Sequence, residues 1–175
     1  MNLRNASFLK DWKKIKKLYM SAFPKCERKP LSVIRYKQHK KVADVWVIED
    51  ADEFVGLAIT MNGDDMVLLD YFAIDDVKRG KEYGSKALKM LQDKYAARRF
   101  FLEIERTDVE ADNLAERKRR KAFYLRNDMS EMGVYAKLFG VDMELLGHHC
   151  NVSFEEYRNL YISNYGRLAE KNVLQ

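Results

Sequence analysis

The chain has 175 residues, a length that suits one domain, and 47% of them are hydrophobic, which allows a sizeable buried core. Its net charge of +5 fits an anionic ligand, an acidic partner or plain solubility equally well. No apolar run approaches the ~20 residues of a membrane helix, and the N-terminus lacks the apolar segment of a signal peptide. We therefore expect a cytoplasmic protein that does not associate with membranes.

The first predicted helix has a single apolar face, whose members recur at steps of 4, 3, 4 and 3: Phe8, Trp12, Ile15, Tyr19 and Ala22. Pro24 ends this helix, and a second, weaker helix is predicted over residues 31–40. The lysines between the apolar positions, Lys13, Lys14, Lys16 and Lys17, indicate a solvated surface. A nucleic-acid patch is the alternative for them, but no aromatic residues lie among them.

Three antiparallel strands are predicted next. Residues 45–48 and 54–61 are rich in β-branched and aromatic residues, and the polar run EDADE joins them. Asn62-Gly63 is a strong hairpin signal before the third run, residues 66–74. This run, MVLLDYFAI, is almost wholly apolar, as expected of a central strand that is covered on both faces.

After a basic turn, the pattern predicts a helix whose buried face contains Ala87, Leu88, Leu91 and Tyr95. Residues 100–105 form the next strand, and the strand–helix–strand order implies a parallel pair. A charged helix over about 112–127 and strands near 132–138 and 141–147 follow. Ser153 and Glu156 form a capping box that opens a last helix. Its apolar residues Phe154, Tyr157, Leu160 and Tyr161 could pack on the same domain or on a partner. We predict one α+β domain over residues 1–175, with a mixed, mostly antiparallel central sheet flanked by helices.

The turn between the third strand and the following helix reads RGKEYG. A helix N-terminus offers unpaired N–H groups and a partial positive charge, and together these bind phosphate. Glycines let the backbone approach a ligand closely, and basic side chains add charge. An ordinary basic turn between a strand and a helix would look much the same, so these residues alone leave both possibilities open.

The surroundings of this turn resemble motif A of the GNAT N-acetyltransferases, whose pattern is Q/R-x-x-G-x-G/A. An apolar strand ending in FAI and two acidic residues precede it, and an amphipathic helix follows. Arg79 fills the first position, Gly84 fills the last, and Glu82 replaces the middle glycine. Downstream, Phe123-Tyr124 matches motif B of the same family. The resemblance covers roughly residues 8–147 and is strongest over 66–126.

The resemblance implies that the protein uses acetyl-CoA as cosubstrate. The strand backbone at Phe72, Ala73 and Ile74 would pair with the pantetheine arm. The N–H groups of the turn would receive the pyrophosphate, which implicates Arg79, Gly80, Lys81, Glu82, Tyr83 and Gly84. Tyr124 would serve as the acid for the departing thiolate, although it could instead be a core aromatic residue.

An attacking amine must lose a proton, so a base or a proton path to water is also required. Histone-acetylating relatives carry a glutamate on the motif A strand, where this chain has Leu68. Asp70 lies two residues further on the same strand face. Glu103 and Glu105 on the next strand are rivals, and an acceptor that is already neutral would need no protein base.

Other reactive side chains carry no recognisable pattern. His148 and His149 are adjacent on a predicted strand and are expected to point to opposite faces, so we predict no metal site. Cys26 and Cys150 show neither metal-site nor disulfide spacing. Asn113 is predicted to be a helix cap.

The predicted function is transfer of an acetyl group from acetyl-CoA to a primary amine of a small molecule or a protein. The alternative is an acyl-CoA-binding or regulatory module of the same fold with little catalysis, which the unusual Glu82 suggests. Nucleic-acid binding through the lysines of the first helix or the run ERKRRK is disfavoured, because acidic residues balance the basic ones along most of the chain. The acceptor is not encoded in any motif, and a monomer or homodimer fits the sequence.

Overall fold

Strands and helices follow one another along the chain in a computed structural model that describes residues 1–25 and 27–175. The described part contains six α-helices and eight strands. The mixed, mostly antiparallel arrangement confirms the predicted α+β class. In chain order the elements are β1 (Asn2–Asn5), α1 (Leu9–Ala22), α2 (Leu31–His39), β2 (Ala43–Asp50), β3 (Glu53–Asn62), β4 (Met66–Ile74), α3 (Tyr83–Lys94), β5 (Arg99–Glu105), α4 (Leu114–Leu125), β6 (Ser130–Leu138), β7 (Val141–His148), α5 (Phe154–Tyr165), α6 (Arg167–Asn172) and β8 (Val173–Leu174).

The chain forms two compact units, residues 1–62 with 69–94 and residues 63–68 with 95–175. The assignment of residues 1–175 to a single domain stays a prediction. No described helix is long and apolar enough to cross a membrane.

In the first unit the strands follow the order β1-β2-β3-β4, and β1–β2 and β2–β3 are antiparallel. The register of β2 against β3 shifts between Ile48 and Glu49. Apolar side chains from α1, α2, β2, β3 and β4 form one core cluster, which includes Ile15, Leu18, Tyr19, Ile34, Val45, Val47, Leu57, Ile59, Tyr71 and Ala73. This core holds the end of β4, and therefore the start of the basic turn, in a defined place.

The structure confirms most of the apolar face that was predicted for α1. Ile15 and Tyr19 are fully buried, and the intervening lysines are exposed, as a solvated surface requires. Phe8 is the exception, since it is 57% exposed. It precedes the first helical residue and has extended backbone, so the helical period does not apply to it.

In the second unit the strands follow the order β5-β7-β6-β8, and all three pairs are antiparallel. The predicted capping box is present at the start of α5. Ser153 Oγ accepts a hydrogen bond from the N–H of Glu156, and the Glu156 carboxylate accepts one from the N–H of Ser153. Tyr157, Leu160 and Tyr161 are buried within the chain itself.

Candidate active site

The turn after β4 presents a row of backbone donors. A single 3₁₀ turn at Asp76–Lys78 leads from the strand into the segment that ends at the first residues of α3. The N–H groups of Lys78 and Arg79 bond to Asp75 O and Asp76 O. From Gly80 to Ser85, in contrast, no backbone N–H donates to any residue that the structure describes. This segment therefore has the donors that an anion at a helix N-terminus requires.

The side chain of Arg79 stabilises the turn itself. Its Nε donates to the carbonyl of Ile74 at 3.3 Å, and its guanidinium pairs with Asp76 at 2.7 Å. Lys78 is paired with Glu53. Lys81 is exposed and forms no ion pair within the described residues. Lys81 thus supplies the unneutralised positive charge of the turn.

Glu82 has a backbone conformation that glycine adopts more readily than glutamate does. Its φ is +59°, in the left-handed region, and Gly80 two residues earlier has φ +77°. The Glu82 side chain is 80% exposed, and its carboxylate lies 3.7 Å from Lys86 Nζ. The left-handed backbone therefore explains why a glycine would suit this position. The Glu82 carboxylate itself points into solvent.

The end of β4 is held firmly on the side of β3. The N–H of Asp75 donates to Val55 O at 2.9 Å. A Cβ on Gly56 would lie 2.4 Å from the carbonyl oxygen of Ala73, so the two backbones approach closely. Ala73 and Ile74 are buried and Phe72 is partly buried. The pairing of these three residues with a pantetheine arm stays a prediction.

Asp70 is engaged in an ion pair. Both of its carboxylate oxygens lie 2.7 Å from Lys29 Nζ, and the Asp70 side chain is only 8% exposed. The neighbouring Tyr71 hydroxyl accepts from the N–H of Lys29 and donates to Glu27 O, and burial raises the pKa of Tyr71 far above its ordinary value. Tyr19 donates to Lys29 O. These bonds connect Glu27 and Lys29, which lie between α1 and α2, to β4 and to α1.

Glu103 on β5 receives two tyrosine hydroxyls from α5. Tyr157 donates to Oε2 and Tyr161 donates to Oε1, each at 2.5 Å. Both tyrosines have no exposed surface, whereas Glu103 is partly exposed.

Glu105, the other candidate base on β5, forms ion pairs with residues of α4. Arg117 and Arg120 pair with its two oxygens at 2.8 and 2.9 Å. Asn113 occupies the N-cap position of α4, but its side chain accepts from Arg117 Nε and makes no capping bond. The prediction that Asn113 caps the helix is therefore only positionally right, because the nearby guanidinium competes for its oxygen.

Tyr124 lies near the end of α4 and is 8% exposed. Burial raises its pKa to about 12, and the charge of Arg120 opposes that rise. The ring packs edge-on against Phe123, with centroids 5.2 Å apart. Within the described residues no side chain or backbone group hydrogen-bonds the Tyr124 hydroxyl. The hydroxyl therefore stays protonated at neutral pH.

The histidine pair corrects one prediction. The two rings do not point to opposite faces, because their centroids are 4.4 Å apart. β7 ends at His148, and His149 has a left-handed backbone with φ +51°, so the alternation of a strand no longer applies. In the part of the chain that the structure describes, no three metal-binding side chains come together.

Cys150 is a free thiol whose pKa is raised by burial, and Cys26 lies outside the described residues.

Sequence reasoning missed Lys29, Tyr157 and Tyr161 as partners of the candidate bases. The tyrosines are separated from Glu103 by 54 and 58 residues, so no local pattern connects them. Their spacing of four on one helix face was the available signal, and it indicated only burial.

A model of the acetyltransferase (GNAT) family matches residues 12–120, more than half of the chain. The chain belongs to this family. The match includes β4, the basic turn, α3, β5 and the first part of α4. The family assignment that Arg79, Gly84 and the flanking elements predicted is thereby confirmed, and with it the class of N-acetyltransferase.

Solved structures with the same fold are distant in sequence. A protein of Bacteroides thetaiotaomicron assigned to the GNAT family is 22% identical, with a TM-score of 0.81 over 95% of this chain and 99% of that one. The ribosomal-protein-S18-alanine N-acetyltransferase of Escherichia coli is 15% identical, with a TM-score of 0.63 over 87% and 95% of the two chains. An aminoglycoside 6'-N-acetyltransferase complexed with coenzyme A is 14% identical, with a TM-score of 0.63 over 84% and 96%. No curated protein matches the sequence.

Proposed function

We propose that this GNAT-family protein transfers the acetyl group of acetyl-CoA to a primary amine of a small molecule or a protein. The proposal depends on the backbone N–H groups from Gly80 to Ser85 at the start of α3, which donate to no residue that the structure describes. A pyrophosphate carries its charge on oxygens that accept such donors, and the helix dipole favours an anion there. Lys81 adds a positive charge to the same turn, and the backbone of residues 72–74 would pair with the pantetheine arm.

The reaction forms a C–N bond between the amine and the thioester carbonyl carbon and breaks the C–S bond. The amine loses a proton, and the departing thiolate is stabilised and finally protonated. Tyr124 is the proposed donor to that sulfur. Since its pKa is about 12 and an ordinary thiol has a pKa of about 8.5, hydrogen-bond donation is more favourable than early proton transfer. Its role is thus to stabilise developing negative charge.

Asp70 and Glu103 remain the candidates for the base that takes the proton of the attacking amine, and an acceptor that is already neutral would need no protein base. Lys29 neutralises Asp70 at 2.7 Å, whereas uncharged hydroxyls hold Glu103. An amine that approached Asp70 would compete with a resident ammonium. This ion pair argues against Asp70 as the base.

Thermal unfolding with and without acetyl-CoA tests the cofactor. At a ligand concentration of about 100 Kd, binding adds roughly 2.7 kcal/mol, which raises Tm by about 5–10 °C in a chain of this size. Absence of a shift at millimolar acetyl-CoA would overturn the proposal. A panel of amines assayed for thiol release then separates an enzyme from an acyl-CoA-binding module, because the module would show the shift without turnover.

A further inference from the structure

The exposed side of α1 carries lysines that have no counter-charge. Lys13, Lys16 and Lys17 are exposed, and within the described residues none of their ammonium groups forms an ion pair or a hydrogen bond. The acidic residue of α1, Asp11, is buried and pairs with Arg4 at 2.8 Å. Residues 8–41 contain twelve lysines and arginines but only two acidic residues, although the net charge of the whole chain is +5. The excess positive charge is therefore concentrated around the first two helices.

On α3 and α4, in contrast, basic side chains have carboxylate partners. Lys86 lies 3.7 Å from Glu82, and Lys89 pairs with Asp93 at 2.9 Å. On α4, two arginines and Lys121 pair with buried glutamates. Lysines that are three or four residues apart on a helix repel each other and destabilise it. The exposed side of α1 keeps this repulsion, which an anionic partner would relieve.

The three lysines border a shallow groove of about 510 Å³. Its lining residues are Lys13, Lys16, Lys17, Met20 and Ser21. The Met20 side chain is half-exposed, and Nη1 of Arg28 lies 2.8 Å from its sulfur. The groove therefore offers an apolar side chain with several positive charges around it.

The lining of the groove discriminates between classes of anionic partner. Nucleic acids bind to surfaces where aromatic side chains stack on the bases, and none of the residues that line the groove is aromatic. The apolar face of α1 is buried in the core through Ile15, Leu18 and Tyr19, so it is not available for insertion into a bilayer. A peptide can supply carboxylates and an apolar side chain together. From Lys13 to Met20 the helix rises by about 10 Å, which corresponds to about three residues of an extended peptide.

We propose that the groove on α1 is a docking surface for an acidic segment of another protein. The carboxylates of that segment pair with Lys13, Lys16 and Lys17, and an apolar side chain between them packs on Met20. This inference goes beyond the proposed acetyl transfer and does not depend on it, because no residue of the groove belongs to the candidate active site.

Fluorescence anisotropy tests the docking surface without acetyl-CoA. The probe is a fluorescein-labelled peptide of about nine residues with the repeat Glu-Glu-Leu, which is longer than the groove. At physiological salt we expect wild type to bind this peptide saturably. A peptide with glutamine in place of glutamate should bind at least about tenfold more weakly, because it keeps the apolar groups and loses the charges.

A triple substitution of the groove lysines has a matched control of equal charge. Each exposed ion pair contributes roughly two- to threefold in affinity, so loss of all three should weaken binding of the acidic peptide about tenfold. The control removes the same charge from exposed lysines of the second unit and should bind within about twofold of wild type. The triple variant is Lys13→Gln, Lys16→Gln and Lys17→Gln, and the control is Lys118→Gln, Lys137→Gln and Lys171→Gln.

Met20→Ser tests the apolar part of the groove. It should weaken binding of the Glu-Glu-Leu peptide but leave binding of a Glu-Glu-Ser peptide unchanged, because only the first has a side chain that packs on Met20. Equal effects on the two peptides would contradict the apolar contact.

Absence of saturable binding to wild type, or equal losses in the triple variant and its control, would overturn the inference. Tighter binding of single-stranded oligothymidine or of phosphatidylserine vesicles than of the acidic peptide would also overturn it, because the partner would then be a nucleic acid or a membrane. Thermal unfolding checks the folded state of the triple variant. Its Tm should equal or exceed that of wild type, since repulsion on α1 is removed, and a lower Tm would count against the inference.

Discussion

Replacing Glu82 with glycine separates two physical effects that meet at one position of the turn. Glu82 holds a left-handed φ of +59°, which costs a residue with a Cβ about 1–2 kcal/mol relative to its normal conformation. Glycine avoids that cost but loses about 0.5–1 kcal/mol through the greater freedom of its unfolded state. The net gain of about 0–1.5 kcal/mol predicts that Tm does not fall and rises by at most about 6 °C.

The charge of Glu82 sets the second effect. At 4 Å in water, a carboxylate and a phosphate charge repel by only about 1 kcal/mol, or roughly fivefold in affinity. The side chain is 80% exposed, and physiological salt screens it further, so fivefold is an upper limit. Removing the carboxylate should therefore strengthen acetyl-CoA binding by less than about fivefold.

Glu82→Gln is the matched control, because it removes the charge but keeps the Cβ and the strained backbone. Calorimetric titration of acetyl-CoA and thermal unfolding should be measured for both variants at one salt concentration. We expect similar affinity gains for the two, and any rise in Tm only for glycine. Weaker acetyl-CoA binding in either variant would mean that the carboxylate supports the site, and a lower Tm for glycine would refute the strain argument.

Three further substitutions test the structure around the site. Asp70→Asn should leave the Lys29 ammonium partly buried without its counter-charge and cost about 2 kcal/mol, seen as a fall in Tm of roughly 4–8 °C; an unchanged Tm with lost activity would instead make Asp70 the base. Gly56→Ala should cost about 1–3 kcal/mol in chemical denaturation, because its Cβ would meet the Ala73 carbonyl, and unchanged stability would contradict that close approach. Tyr124→Phe should lower kcat about 10- to 150-fold through loss of one hydrogen bond to a charged group, and an unchanged kcat would remove Tyr124 from the mechanism.

Helices and strands that are long enough to show a repeating hydrophobic pattern were predictable from the sequence. The limits of β4, residues 66–74, agree with the prediction because a turn signal and a change of polarity bound the apolar run. The buried face of α3 was also predicted correctly. β1, α6 and β8 were missed because they have only four, six and two residues, too few for a recurring pattern.

The sequence could propose the turn as an anion site, because such a site at a helix N-terminus is built from consecutive residues. That assignment stays a prediction. The partners of Asp70 and Glu103 could not be found, because they depend on which segments fold against each strand. Asp70 and Glu103 looked alike in the sequence. In the structure Asp70 pairs with the Lys29 ammonium, whereas Glu103 accepts hydrogen bonds from two tyrosine hydroxyls.

The basic run of α4 receives a structural explanation from the same kind of contact. Buried Glu144 holds Lys121 at 2.7 Å, and buried Glu105 holds two arginines of the run. Burial alone would lower the pKa of Lys121, but its bonds to Glu131 and Glu144 outweigh burial and raise it. A nucleic-acid phosphate that bound Arg117, Arg120 or Lys121 would have to break these pairs and leave the carboxylates buried without counter-charge, which is costly. The ion pairs therefore favour a role for this run in fixing α4, the helix that carries Tyr124.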